Sequence, residues 1–236
     1  MLVRRLCPRQ AGEQFSHLVV GGCVRFLGGF ADKPRAFADV EGATHVIDRL
    51  GGAAVPLHAL IETHGALRDV FEIAALRRIE SLSFGLMDFV SAHRGAIPHT
   101  AMGVQGQFTH PLVVRAKLEI AAACHGAAKV PSHCVVTEFK DEAALSRAAS
   151  RAAREFGYTR MWSIHPAQIR PIVEAFAPSV AEVDEAIEVL LAAQAADWAP
   201  TRQRHGGQDV LHDRASYRYF WDVVDRARRT GQPLPA

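Results

Sequence analysis

From about residue 55 onward, short apolar runs alternate with longer stretches in which small and apolar residues recur every three or four positions. That rhythm belongs to βα units feeding a parallel sheet. The short runs predict strands at Val55–Ile61, Ser81–Gly85, His133–Glu138 and Met161–Ile164. The stretches between them predict crossover helices over Leu67–Leu76, Leu112–His125 and Glu142–Phe156. Asp141 is placed to cap the last of these and Gly157 to stop it.

After Ile164 the pattern becomes helical only. PSVAEVDEAIEVLLAAQAADW sets Val183, Ile187, Leu190 and Leu191 on one face, with Ser179 as cap and Glu182 completing a capping box. A polar link, TRQRHGGQDVLHD, leads to a final amphipathic segment, ASYRYFWDVVDRARR. The boundaries expected are a barrel-type domain over residues 1–200, with 1–50 poorly matched, and a linker and helix over 201–236. Near the start, HLVVGGCVRFLGG reads as one strand and DVEGATHVIDRLGG as a helix ending at Gly51. This makes about five strands, where a closed (β/α)8 barrel uses eight.

Composition narrows the function classes. The chain has 236 residues, long enough for a full single core, and its 27 basic against 25 acidic residues leave a net charge of only +2. That balance asks for neither nucleic acid nor an anionic membrane. RYFWDVVDRARR mixes aromatics with arginines, but Asp222 and Asp225 interrupt it, which fits a packing helix. The four cysteines, Cys7, Cys23, Cys124 and Cys134, form no CxxC spacing, so a reduced, cytoplasmic setting is expected. Arg25 breaks the one stretch near the N-terminus that could pass for a signal sequence. No run reaches the roughly 18 apolar residues that read as a membrane span. GxGxxG, P-loop, GxSxG and HExxH motifs are all absent.

The candidate chemistry lies at strand ends. In parallel α/β structures ligands collect beyond the carboxyl ends of the strands. Glu62, in VPLHALIETHG, and Asp88, in SLSFGLMDFV, both fall at such ends. Two hard oxygen donors suit Mg²⁺, which takes one or two carboxylates and completes its octahedron with water and substrate. Acids in these positions can equally cap the helices that follow. His165, before Pro166 in MWSIHPAQI, is a candidate to bind substrate or a hydrogen-bonded structural residue. His93, Arg94 and His99 in DFVSAHRGAIPH can meet an anion or simply face solvent. Asp209 and Asp213 lie in the late link, where capping the final helix is the default role for Asp213.

Taken together, ALIETHGAL, LSFGLMDF and GYTRMWSIHPAQIRPIVEAFAPSVAEVDEA resemble the citrate lyase beta-subunit-like branch of the HpcH/HpaI aldolase family. The shared pattern is an IHPxQ strand end and helix, then F-x-P-[ST] opening a helix with an E-[VI] pair, together with an FGxxD matched by Phe84–Asp88. The resemblance covers roughly residues 55–230. It implies a TIM barrel that binds Mg²⁺ and breaks or forms a carbon–carbon bond in small oxo- or hydroxy-acids or their coenzyme A thioesters. It also implies Glu62 and Asp88 as metal ligands. GGQDVLHDRA is similar to a C-terminal G-x-M-[IV]-D stretch that reaches a neighbouring subunit's site, which makes Asp213 a candidate acid/base group.

The departures lie upstream. The family's opening leucine-x-acid-acid strand and its arginine strand have no match, and its Pro-Lys strand is echoed only at Lys33 and Pro34, leaving Lys33 as a candidate substrate contact. The expectation is therefore a TIM-type barrel incomplete at its N-terminus, with extra C-terminal helices, forming a homo-oligomer. Its expected ligand is a small carboxylic acid or CoA thioester. The alternative is a non-catalytic remnant or structural subunit that keeps the metal pair.

Overall fold

The structure, a computed structural model, describes residues 18–20, 36–49, 56–138, 140–205 and 208–232. The chain divides into two compact units, Met1–Val135 with Phe156–Trp162, and Val136–Glu155 with Ser163–Ala236.

The first unit is built on five parallel strands in the sheet order β1-β2-β3-β4-β5: Leu18–Val20 (β1), Leu57–Ile61 (β2), Ile79–Phe84 (β3), Val130–His133 (β4) and Arg160–Met161 (β5). Each strand pairs with its predecessor in the chain, as successive crossover connections of one sense produce. Helices Ala36–Arg49 (α1), His64–Arg68 (α2), Val70–Ala75 (α3), Leu86–Ser91 (α4) and Pro111–Gly126 (α5) accompany the sheet. In β3 every residue but Glu80 is buried, as expected of a parallel strand covered on both faces. Its two buried hydroxyls are satisfied sideways: Ser83 Oγ donates to Ser132 O at 3.2 Å, and Ser81 Oγ pairs with His58 Nδ1. Leu57, Ile61, Ile73, Leu82, Phe84, Val113 and Ile120 form the centre of the core, all at 1% exposure or less.

The second unit is helical apart from one hairpin. It holds Glu142–Glu155 (α6), Ile169–Phe176 (α7), Val180–Ala195 (α8) and Arg214–Arg229 (α9). Thr201–His205 (β6) and Gln208–His212 (β7) pair antiparallel. Ala186, Val189 and Ala193 of α8 bury against Tyr217, Phe220 and Val223 of α9. Both residues of the expected capping box on α8 are engaged, Ser179 with the Glu182 amide and Glu182 with the Ser179 amide. No helix among the described residues is long and apolar enough to cross a membrane.

The expectation of an α/β fold with a parallel sheet therefore holds, with local differences. The helix expected over Leu67–Leu76 is two, because Asp69, at φ −96° and ψ 14°, turns the chain between α2 and α3. β4 and β5 begin earlier than expected and end sooner. The segment TRQRHGGQDVLHD, expected as a link, carries a hairpin; its inward residues bond to the helices, Thr201 Oγ1 with Tyr217 Oη at 3.0 Å and Gln203 Nε2 with Glu188 O at 3.0 Å.

Candidate active site

Glu62 and Asp88 belong to adjacent strand ends in the first unit. The ladder sets Ile61 opposite Phe84, so Glu62 and Gly85 are the first residues past the paired ends of β2 and β3. Gly85 N donates to Ile61 O at 2.8 Å, which holds the two ends together beyond the last ladder pair. The side chain of Glu62 lies across Gly85: a Cβ there would stand 2.4 Å from Glu62 Cβ and 2.8 Å from Oε2. Only glycine permits that approach. Gly85 is also the N-cap of α4, and Asp88 is that helix's third residue, exposed in the first turn.

The capping alternative is thereby narrowed. The N-cap of α2 is Thr63, whose Oγ1 accepts from Ala66 N at 3.1 Å, so the helix after β2 does not take Glu62 as its cap. The N-cap of α4 is Gly85 rather than Asp88. In the first turn Asp88 does lie where a negative charge is favoured by the helix dipole. Among the described residues no group of three or more His, Cys, Asp or Glu is gathered as a metal cluster. A pair of carboxylates, one of them half-buried and seated over a glycine, is a donor set that fits Mg²⁺, since that ion keeps most of its shell for water and substrate.

The neighbouring loops add aromatic and imidazole groups. His93 Nδ1 lies 2.7 Å from Phe89 O, and its ring meets His64 edge-on at 4.5 Å between centroids. Both rings line a cleft of about 390 Å³ together with Phe71, Phe89 and Arg115. Arg94 and His99 are exposed and lie outside that lining, Arg94 at a left-handed φ of 53°.

The other candidates lie in the second unit, apart from Lys33, which falls outside the described residues together with Pro34. His165 is exposed and caps a short 3-10 turn, Pro166–Gln168, with Nδ1 accepting from Ala167 N at 3.2 Å. Asp213 is the N-cap of α9: Oδ1 accepts from Ala215 N at 3.0 Å and from Ser216 N at 3.4 Å, the role its sequence context favours. Asp209 is exposed on β7 and pairs with Arg202 at 3.8 Å.

Two features escaped the sequence reading. Lys117 is fully buried, its Nζ 2.8 Å from both Gln107 Oε1 and His133 Nε2 and 3.9 Å from the Phe108 ring centroid. His133 donates from Nδ1 to Cys134 O at 3.0 Å, which leaves Nε2 to accept from the lysine. Burial, with the Lys117 charge second, holds the His133 pKa well below the ordinary imidazole value. The available signal was spacing: Val113, Lys117, Ile120 and Cys124 share one helical stripe, and all four are buried. The second is Gln168, 1% exposed, which bonds both to Val136 and to the turn carrying His165.

A parallel sheet with its crossover helices, and an acid on each of two adjoining βα segments, define the chain as an α/β protein. No family model matches it. It is similar to a citrate lyase from Burkholderia xenovorans LB400, 58% identical with a TM-score of 0.73, over 86% of this chain and 64% of that one. The L-malyl-CoA/beta-methylmalyl-CoA lyase of Rhodobacter capsulatus is 32% identical over 152 residues, 60% of this chain and 47% of that protein. CitE from Mycobacterium tuberculosis, solved with magnesium, acetoacetate and coenzyme A, shares the fold at a TM-score of 0.62 and 23% identity, over 85% of this chain and 75% of that one. These relatives support the HpcH/HpaI citrate lyase beta-like family. The chain spans about half the length of the curated relatives it matches, 52% and 47% in two of them.

Proposed function

We propose that this chain is a Mg²⁺-dependent carbon–carbon lyase acting on a small oxo- or hydroxy-acid or its CoA thioester. The observation that carries this is the seating of Glu62 across Gly85, at the head of the helix whose first turn bears Asp88. Glu62 and Asp88 would hold the metal. Bound there, Mg²⁺ supplies Lewis-acid polarisation of a substrate oxygen and favours the charge that develops as the carbon–carbon bond breaks. The relatives' names support the substrate class: malyl-CoA and β-methylmalyl-CoA are both thioesters of short carboxylic acids.

The chain's own residues prepare that site. Thr63, not Glu62, caps α2, its Oγ1 accepting from Ala66 N. The β2–β3 register holds the two acid-bearing segments side by side. His165 is assigned to substrate binding, and so is Lys33. Asp213 is assigned the acid/base role, contributed to a neighbouring subunit's site in a homo-oligomer, with Oδ1 held by two backbone amides.

Incubation of the purified chain with malyl-, citramalyl- and citryl-CoA, with and without Mg²⁺, tests the reading. Mg²⁺-dependent appearance of the oxo-acid product supports it. A folded chain that binds Mg²⁺ and turns over none of the three supports the non-catalytic alternative.

A further inference from the structure

Helix α5 is inverted for a helix at the surface. It buries Val113, Ala116, Lys117 and Ile120, and it leaves Pro111, Leu112, Arg115, Leu118 and Ala122 exposed. The lysine is inside and the leucines are outside, Leu112 at 40% and Leu118 at 48% exposure. Helix α6 shows the ordinary arrangement, with Glu142, Arg147, Arg154 and Glu155 outward and no large apolar side chain exposed. On α3, which packs beside α5, Phe71 is 57% exposed and lines one cleft with Leu112 and Arg115. Among the described residues of the first unit, Phe71, Leu112 and Leu118 are all of the large apolar side chains that stand exposed. Gathered on neighbouring helices, they form a patch of the kind that marks an interaction site rather than the scattered single residues of an ordinary surface.

The charge on this face of α5 comes as one pair. Arg115 Nε donates to Glu119 Oε1 at 2.8 Å across one helical turn. Among the described residues this is the only hydrogen bond either side chain makes, so the two terminal guanidinium nitrogens and Glu119 Oε2 keep capacity for another partner. A face that carries both signs one turn apart is complementary to itself about a two-fold axis. We infer that the outer face of α5 is a docking surface for a second copy of this chain, the two helices packing antiparallel about a two-fold axis near Lys117 and Leu118. That pairing sets Arg115 against Glu119 of the partner subunit and Leu112 against the small Ala122 of the partner subunit. Leu118 then meets its own copy at the axis. Removal of the apolar face from water drives the contact, and the crossed ion pairs fix its register. An isologous contact joins chains in twos. It owes nothing to Asp213, which belongs to the second unit.

Sedimentation equilibrium of the full chain over a range of concentrations is the test, applied to the parent, Leu118→Glu, Arg115→Glu, Glu119→Arg and the Arg115→Glu/Glu119→Arg double variant. The parent should hold an even number of chains, and Leu118→Glu half that number, because two carboxylates would be buried against each other at the axis. Arg115→Glu and Glu119→Arg each set like charges across the contact and should weaken association at least about tenfold, while the double variant should return to within about threefold of the parent. Circular dichroism of each variant checks that it is folded. A pair that acts only within its own helix would alter the melting of the single variants and leave their mass unchanged. A parent that is monomeric, or an odd-numbered assembly, up to its solubility limit overturns the inference. So does a parent mass that persists in folded Leu118→Glu, which would place the contact on another face. Should Leu118→Glu fail to fold, the charge variants decide alone: a mass unmoved in the single variants, or unrestored in the double variant, overturns the pairing.

Discussion

Gly85 and Glu62 approach so closely that a single added carbon has no room: a Cβ on Gly85 would lie 2.4 Å from Glu62 Cβ. The glycine of the FG-x-x-D run and the glutamate of the I-E-T run are thus one structural unit, joined across β2 and β3. Gly85→Ala is expected to push Glu62 off its seat and cost about 1–3 kcal/mol of stability, the range for overpacking a filled site. Calorimetry of the same variant should show Mg²⁺ affinity lowered at least about tenfold, because the carboxylate has moved.

Thr63 carries the capping role beside Glu62. Thr63→Ala should lower stability by about 1 kcal/mol in urea unfolding, the usual loss for a hydroxyl N-cap, and Thr63→Ser should recover most of it. Mg²⁺ affinity should change far less than in Gly85→Ala.

His133 makes stability depend on pH in a known direction. Its folded pKa is depressed, by burial first and by Lys117 second. Above about pH 6.5 the imidazole is neutral in folded and unfolded chains alike and adds no pH dependence. As the pH falls below that value, the unfolded chain takes up a proton that the folded chain refuses. Stability is then lost at up to about 1.4 kcal/mol per pH unit. Urea unfolding at pH 7.5 and 5.5 should show this loss in the parent chain and a smaller one in His133→Asn.

Glu182 is held at a pKa of about 2, chiefly by its hydrogen bond with the Arg154 guanidinium and then by the Ser179 backbone and side chain. Its stabilising contribution is present above the ordinary carboxylate range and is lost as the pH falls from about 4.5 towards 2. Both partners are partly exposed, so solvent screens the pair and the effect on overall stability is small. A carboxyl NMR titration is the direct check: in Arg154→Ala the Glu182 midpoint should rise towards the ordinary value.

What could be read from the sequence followed physical regularity. Ser179 and Glu182, three apart before an apolar run, form the capping box that their spacing predicts, and Asp141 caps as expected through Ala144 N at 2.9 Å. The βα segments bearing Glu62 and Asp88 were legible because β2 and β3 carry buried apolar residues at alternate positions, Leu57, Ala59 and Ile61 in one and Leu82 and Phe84 in the other. β4 was harder to place. Val135 and Val136 look more strand-like than Pro131 and Ser132, yet the ladder uses Val130–Ser132 because β3 offers Ser81–Ser83 there. The hairpin was missed because its outward face is Arg202, Arg204, Asp209 and Leu211, so the strands lack an apolar alternation. Lys117 was missed because a lysine in a helix is ordinarily a surface residue, and only its place on the Val113–Ile120 stripe marks it as buried.

Isothermal calorimetry of Mg²⁺ binding to the full chain, to Glu62→Gln and to Asp88→Ala tests the central claim most directly. One Mg²⁺ per chain is expected, with binding lost in Asp88→Ala and weakened at least about tenfold in Glu62→Gln, since two carboxylates are the protein's whole share of such a shell. Unchanged Mg²⁺ affinity in both variants would contradict the account.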